Sequence, residues 1–415
     1  MNNHSYPSYP KFTAYKMLIY LFIVQLLIAF VGRSIAPLGM IIGEDLHLSM
    51  SQIGMFPAAL FLGQSLVSIP AGILTDRLGS KKMIFMIVFT LSGSFIFMSF
   101  STSFIIILLL MVIAGFAYGS SHPTTNRGII YWFDVKSRGT AMGIKQMGVT
   151  AGSALAAILL LPLAKSFSWQ ITFFVAALIL LLVGFCIYIL YKEPEQEMEE
   201  KSQANSTTKN SFYELFHLLK HKSLMLITFS AMLLSGSQMI LNTFIILFAY
   251  ERLGISIILA GVLLGIAEIG GSVGRVAWGM ISDRLFHGKR VIVLLLISVL
   301  VAIDSIVIIL LPHGVPFYFV AFIIFTLGFS TSGFNGVWMN ATTEIVSREK
   351  SGAATGVSIT FGSWGVILFP PIFGYIIDTT ASYTIAWLFV TTLMIGSIVS
   401  LFMVIKFQKK SVKIM

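Results

Sequence analysis

The chain has 415 residues, of which 57% are hydrophobic and only 11% charged, with 35 Phe, 35 Gly and a mean hydropathy of +0.91. Soluble domains carry about a quarter charged residues, so this composition excludes a water-soluble globular protein and places the chain in a bilayer. The net charge of +10 raises the question of a nucleic-acid or acidic partner, which the distribution of the charges answers below.

Residues 1–16 are polar and lead into a first apolar segment too long for a signal-peptide core, so it reads as an uncleaved first helix. A helix crosses a bilayer with roughly 20 apolar residues. Twelve such segments are predicted, near 16–38, 51–74, 82–100, 104–124, 139–163, 169–191, 223–250, 256–280, 290–311, 315–340, 353–377 and 382–406. Of the 27 Lys and Arg, 22 fall with the termini and the even-to-odd loops, and only Lys165 and Arg252 fall on the other side. This positive-inside pattern places both termini in the cytoplasm of a cell-membrane protein. The basic balance is therefore topology, and no nucleic acid is expected. Three cations, Arg33, Lys145 and Arg275, lie within the apolar segments themselves. The single cysteine, Cys186, sits in the sixth segment and excludes an internal disulfide.

Residues 192–210, KEPEQEMEEKSQANSTTKN, have almost no apolar content and read as a linker. After them, Ser211 and Glu214 have capping-box spacing, and Phe212, Leu215, Phe216 and Leu219 share a face, which predicts an interfacial amphipathic helix. His217 and His221 lie four apart on it without an HExxH pattern, so no metal site is expected. The division is thus 1–191, a six-helix bundle; 192–222, a cytoplasmic linker; and 223–415, a second six-helix bundle.

The two halves echo each other. Gly72-x-x-x-Asp76-Arg77-x-Gly79-x-Lys81-Lys82 joins the second and third segments, and Gly279-x-x-x-Asp283-Arg284-x-x-x-Gly288-Lys289-Arg290 joins the eighth and ninth. Arg138-Gly139-Thr140-Ala141-Met142-Gly143 before the fifth segment is matched by Lys350-Ser351-Gly352-Ala353-Ala354-Thr355-Gly356 before the eleventh. Internal repeats of this kind build many transporters, with the site near the bilayer midplane. The 6+6 layout and the doubled GxxxDRxGxKK loop resemble the major facilitator superfamily over nearly the whole chain. That resemblance implies an all-α fold of two pseudo-symmetric six-helix bundles. It also implies a gating role for Asp76, Arg77, Arg138, Asp283 and Arg284, the two aspartates pairing with basic groups or helix N-termini.

A charge inside a transmembrane helix costs a few kcal/mol, so it faces the protein interior or a watery cavity. The Arg275-x-x-x-Gly279-x-x-x-Asp283 spacing resembles the eighth helix of nitrate porters, oxalate/formate exchangers and monocarboxylate transporters, which implies anion binding by Arg275. The surroundings of Arg33, FVGRSIAPLG, and the segment PTTNRGIIYWFDVKSRGTAMGIKQMG resemble the anion:cation symporters. Two guanidiniums then form an expected carboxylate clamp; the alternatives are snorkelling or structural pairing with nearby acids. Gly32 stands where those symporters carry Asp, and Tyr118 where they carry Glu, so the usual proton-handling acids are missing. The intramembrane acids that remain are Glu268, two turns from Arg275 on the same side of its helix, and Asp304. These are the candidate coupling residues.

Lys145, Tyr118, Gln238, Asn242, Asn335, Trp338 and Trp364 complete the candidate substrate contacts. The glycines of the fifth and eleventh segments read as close packing surfaces. The expected function is a secondary transporter of a small organic anion, by proton symport, with lipid and protons as its other partners, no cofactor, and a monomeric state. The alternatives are an exchanger or facilitator, a nitrate-like porter, a drug/proton antiporter, or a transporter-like sensor without flux. The absence of a GxxxxGK[ST] motif argues against an ATPase, and no enzyme is expected. The fifth segment also lacks the Gly-Pro signature of drug antiporters.

Overall fold

The computed structural model describes residues 11–193, 218–347 and 351–412, and among these every regular element is an α-helix. The order is α1 (Lys11–Gly32), α2 (Ile35–Asp45), α3 (Met50–Ser99), α4 (Phe104–Trp132), α5 (Val135–Ser166), α6 (Trp169–Leu190), α7 (Lys222–Glu251), α8 (Ile257–Arg284), α9 (Arg290–Leu310), α10 (Phe317–Thr331), α11 (Asn335–Glu344), α12 (Ser351–Thr380) and α13 (Tyr383–Val412). Helices α1 and α2 together form one span, as do α10 and α11. Helix α3 holds two, turning at Gly79, whose positive φ of 82° is open to glycine. Among the described residues twelve spans are long and apolar enough to cross a membrane. The linker and most of the amphipathic helix expected over 192–222 lie outside the described residues.

Helix starts follow local capping chemistry. Asp134 accepts from Ser137 N at 3.0 Å, Ser168 from Ile171 N at 3.2 Å, and His221 Nδ1 from Leu224 N at 3.1 Å. Each satisfies a backbone donor that the first turn of a helix leaves open. His221 is thus a cap.

Cα packing groups the described chain into two compact units. The first holds the residues up to Ile35 and those from Ala59 to 193. The second holds Ala36–Ala58 and the residues from 218 onward. Within the first, α5 lies on α1, where Gly148 and Gly152 face the carbonyls of Phe22 and Leu26. Within the second, α12 lies on α7 in the same manner, Gly365 facing Met232 O and Gly236 facing Gly365 O. In hydrocarbon no hydrophobic force joins helices, so close backbone approach at small residues supplies the packing. Gly139, Gly143 and Gly356, expected on the same surfaces, meet no atom within 4 Å. Large side chains such as Leu109, Phe322 and Phe402 point outward, as a lipid-facing surface requires.

Two alanine substitutions on one helix therefore separate packing from backbone propensity. Gly365→Ala is expected to lower the unfolding temperature of the detergent-purified protein by several degrees, at a cost of about 1–3 kcal/mol. Gly356→Ala is expected to leave it unchanged or raise it. Differential scanning fluorimetry reads both.

Candidate functional site

Among the described residues two spans are interrupted by a short non-helical stretch, and an intramembrane arginine lies at one and donates to the other. In the first unit the break lies at Arg33 and Ser34, with α1 ending at Gly32 and α2 starting at Ile35. The Arg33 Nε donates to Tyr118 Oη on α4 at 3.0 Å, and Ser34 Oγ donates to Val31 O at 2.7 Å. Tyr118 is 2% exposed and packs edge-on against Phe61. A Cβ at Gly32 would fall 2.6 Å from Tyr118 Cδ2. The two departures from the symporter pattern, Gly32 and Tyr118, are therefore one packing unit: the phenol ring occupies the space that a side chain at position 32 would need.

In the second unit the break lies at residues 332–334, after α10 ends at Thr331 and before α11 begins at Asn335. Three candidate residues converge on Ser332. Arg275 Nε donates to Ser332 O at 3.2 Å, Asn335 Nδ2 to the same oxygen at 3.1 Å, and Gln238 Nε2 to Ser332 Oγ at 2.9 Å. The three side chains come from α8, α11 and α7. Helix α8 can deliver its arginine there because Gly270 and Gly274 let it lie against the carbonyls of Phe325 and Phe329 on α10, while Gly271 faces Ser332 itself. A glycine every fourth residue on one face permits that approach.

One turn and a half away from Gly274 on α8, Glu268 is 2% exposed and accepts from Asn242 Nδ2 at 3.1 Å. The expected coupling acid and the expected amide contact are thus brought together. Asp304 is 7% exposed on α9 and accepts from Thr326 Oγ1 on α10 at 3.1 Å.

Among the described residues Lys145 is the most deeply buried cation, 1% exposed, with its Nζ donating to Asn126 Oδ1 on α4 at 2.8 Å. An ammonium carries three donors, and a neutral amide supplies no countercharge. Trp338 is buried and donates its indole N–H to Ser358 Oγ at 2.9 Å, with Gly362 under its ring. Trp364, by contrast, is 50% exposed.

The expected gating residues form separate clusters, one in each unit. Asp76 pairs with Arg127 at 2.7 Å, and the Arg127 guanidinium lies 5.1 Å from the Tyr131 ring. Arg138 Nη2 caps the end of α4 by donating to Ile130 O at 3.0 Å and Phe133 O at 3.3 Å. Asp283 pairs with Arg290, which also reaches Glu344 at 3.2 Å and Ser282 Oγ at 2.9 Å. Arg77 and Arg284 are exposed. Among the described residues no group of three or more His, Cys, Asp or Glu is placed to hold a metal ion.

Sequence reasoning missed Ser332 and Asn126. The Ser-Thr-Ser-Gly run at 330–333 was the available signal for the first, since small and hydroxyl residues tolerate a broken helix. Asn126 carried no signal beyond being polar in an apolar segment.

The fold and these breaks define a multi-pass, all-α membrane transporter. The sequence profile of the Major Facilitator Superfamily matches residues 21–331, and that of an MFS_1-like family matches residues 259–414. The chain belongs to the Major Facilitator Superfamily, a family of membrane transporters and not of enzymes. It is 24% identical over 361 residues to the hexuronate transporter of Bacillus subtilis (strain 168), covering 84% of each chain. It is 25% identical over 386 residues to the probable galactarate/D-glucarate transporter GudP of the same organism, covering 86% of this chain and 84% of that one. The membrane sensor protein UhpC of Escherichia coli (strain K12) is 24% identical over 338 residues, 77% of this chain and 76% of its own. Among solved structures, a bacterial homolog of the human lysosomal transporter Spinster covers 96% of this chain and 98% of its own, with a TM-score of 0.76 and 18% identity.

Removing the Lys145 acceptor is a direct test of that buried pair. Asn126→Leu is expected to destabilise the protein by about 3 kcal/mol, because a desolvated charge loses its partner. Adding Lys145→Met is expected to recover most of the loss. Thermal unfolding of the two single variants and the double variant measures the coupling.

Proposed function

We propose that the protein is a secondary active transporter of a small organic anion, a carboxylate or sugar acid. In this reading it works by alternating access in the cytoplasmic membrane, by proton symport, with both termini cytoplasmic. The observation that carries the reading is the placement of Arg33 and Arg275, one at an interrupted span and the other donating to one, each with its guanidinium resting on a neutral oxygen. A hydroxyl and a backbone carbonyl are weaker acceptors for a guanidinium than a carboxylate, which binds it bidentately with charge assistance. An incoming carboxylate therefore competes well for these donors. Gln238 and Asn335, already aimed at Ser332, are the adjacent polar contacts, and Asn242 and Glu268 are the adjacent coupling pair.

The relatives' names support the same substrate class, since two of them are named for sugar acids. The excess of Lys and Arg near one set of helix ends supports the orientation. The intact Asp76 and Asp283 clusters support two gates, one for each of the two six-helix halves, 1–191 and 223–415, with 192–222 as the connecting linker.

A second reading, a sensor that binds an anion without net flux, is favoured by the likeness to UhpC. Both readings share the binding site and differ in transport.

A thermal-shift screen of purified protein against carboxylates, sugar acids, inorganic anions, amino acids and cationic drugs tests the binding claim by mass action. Stabilisation by one class of anion is expected, with its loss in Arg33→Ala and in Arg275→Ala. Equal stabilisation of all three proteins by neutral or cationic compounds would overturn the anion reading. Proton uptake by proteoliposomes given the stabilising anion then separates transporter from sensor.

A further inference from the structure

The segment Ala36–Ala58 packs with the second unit although the chain on both sides of it belongs to the first. It comprises α2, the turn at residues 46–49 and the first turns of α3. Both of its ends coincide with weak points in the helical ladder. One is the break at Arg33 and Ser34. The other is Pro57, which has no N–H to give to Ile53 O and so leaves one rung of α3 unmade. A rigid hairpin with a defect at each end is built to turn as one piece. Its two arms are joined internally, since Gly39 and Gly43 both lie against the Ile53 side chain.

What holds this hairpin to the second unit is specific. At the start of α3, Ser49 and Gln52 form a reciprocal capping box. Gln52 N donates to Ser49 Oγ at 3.2 Å, and Ser49 N donates to Gln52 Oε1 at 2.9 Å. That box leaves the N–H groups of Met50 and Ser51 open. Both are taken by one carboxylate from far along the chain: Met50 N donates to Asp378 Oδ1 and Ser51 N to Asp378 Oδ2, each at 2.8 Å. Next to this fork the two backbones touch. A Cβ at Gly54 would fall 2.5 Å from Pro370 O, and one at Gly374 would overlap Met50 O.

We propose that Asp378 is a gating residue, the latch that holds the hairpin 36–58 on α12, and that its release frees the hairpin to swing on Arg33–Ser34 and Pro57 during the transport cycle. The latch lies at the membrane face away from the chain termini, since the first span, α1 with α2, separates the turn at 46–49 from the N-terminus. It suits a reversible switch. The fork adds charge to the favourable end of a helix, yet Asp378 is exposed, so water can replace both partners when the contact opens. The glycines allow the approach without adding interlocking side chains that would resist separation. The inference concerns a gate and stands whatever the substrate is.

Hydrogen-exchange mass spectrometry on the full-length protein, with Asp378→Asn and Asp378→Ala variants, tests it. The latch predicts that exchange rises about tenfold or more in Asp378→Ala. The rise should cover 36–58 and 370–380 together, while α7, α8 and α9 stay as protected as in the parent. Asp378→Asn, which keeps one acceptor of similar shape, is expected to fall in between and guards against a variant that fails to fold. Three outcomes would overturn the proposal: unchanged exchange, a rise confined to the amides of Met50 and Ser51, or a rise spread over the whole chain. The second would mark a local helix cap, and the third a general loss of stability.

Discussion

A guanidinium in the hydrocarbon layer must be given acceptors, and in a regular helix every backbone carbonyl already accepts one hydrogen bond. That constraint shapes this protein. Arg275 reaches a carbonyl that is available because the helix stops at Thr331 and restarts at Asn335, and Arg33 sits on a break of its own with a phenol oxygen as partner. Non-helical backbone at membrane depth is tolerated where it is buried in protein or lines a cavity. Each break therefore serves the charge beside it. The intramembrane arginines and the interrupted helices are one feature, and the glycine face of α8 is what allows Arg275 to span the distance.

The same constraint explains how the remaining polar groups are disposed. Lys145 is held by Asn126 and Glu268 by Asn242, so each of these buried charges has an amide partner from a neighbouring helix. Side-chain amides both donate and accept, and they can serve an anion or a cation without a fixed countercharge. Hydroxyls play the matching role in the second unit, where Ser358 joins Thr228 and Trp338, and Ser397 joins Ser230 and Ser298. Asp76 pairs with Arg127 and Asp283 with Arg290 at the loop ends of the helices, where water lowers the cost of both charges.

Much of this was legible in the sequence, for identifiable reasons. Twelve spans follow from hydropathy because each is a local property of some 20 residues. Arg33, Lys145 and Arg275 could be singled out because a charge in an apolar run stands out without any structure. The partners did not stand out. Ser332, Asn126 and Asp378 are ordinary residue types, and their roles depend on contacts with residues 57, 19 and 328 positions away. Tyr118 was visible as a departure from a pattern, but its exclusion of any side chain at Gly32 needed three dimensions. Lys145 was grouped with possible substrate contacts; the structure shows it buried against Asn126. The glycines of the fifth and eleventh segments divide in the same way. Gly148, Gly152 and Gly365 meet backbone, whereas Gly139 and Gly356 meet nothing. Spacing alone does not reveal which face of a helix has a neighbour.

The central claim is that the two arginines exchange their neutral acceptors for the cargo's carboxylate. An experimental structure with a stabilising carboxylate bound tests it most directly. The account predicts ligand oxygens within hydrogen-bond distance of Arg33 and Arg275, with the Arg275 contact to Ser332 O lengthened or lost. A ligand bound elsewhere, with Arg33 still on Tyr118 and Arg275 still on Ser332, would contradict it and leave both arginines as structural ties across broken helices.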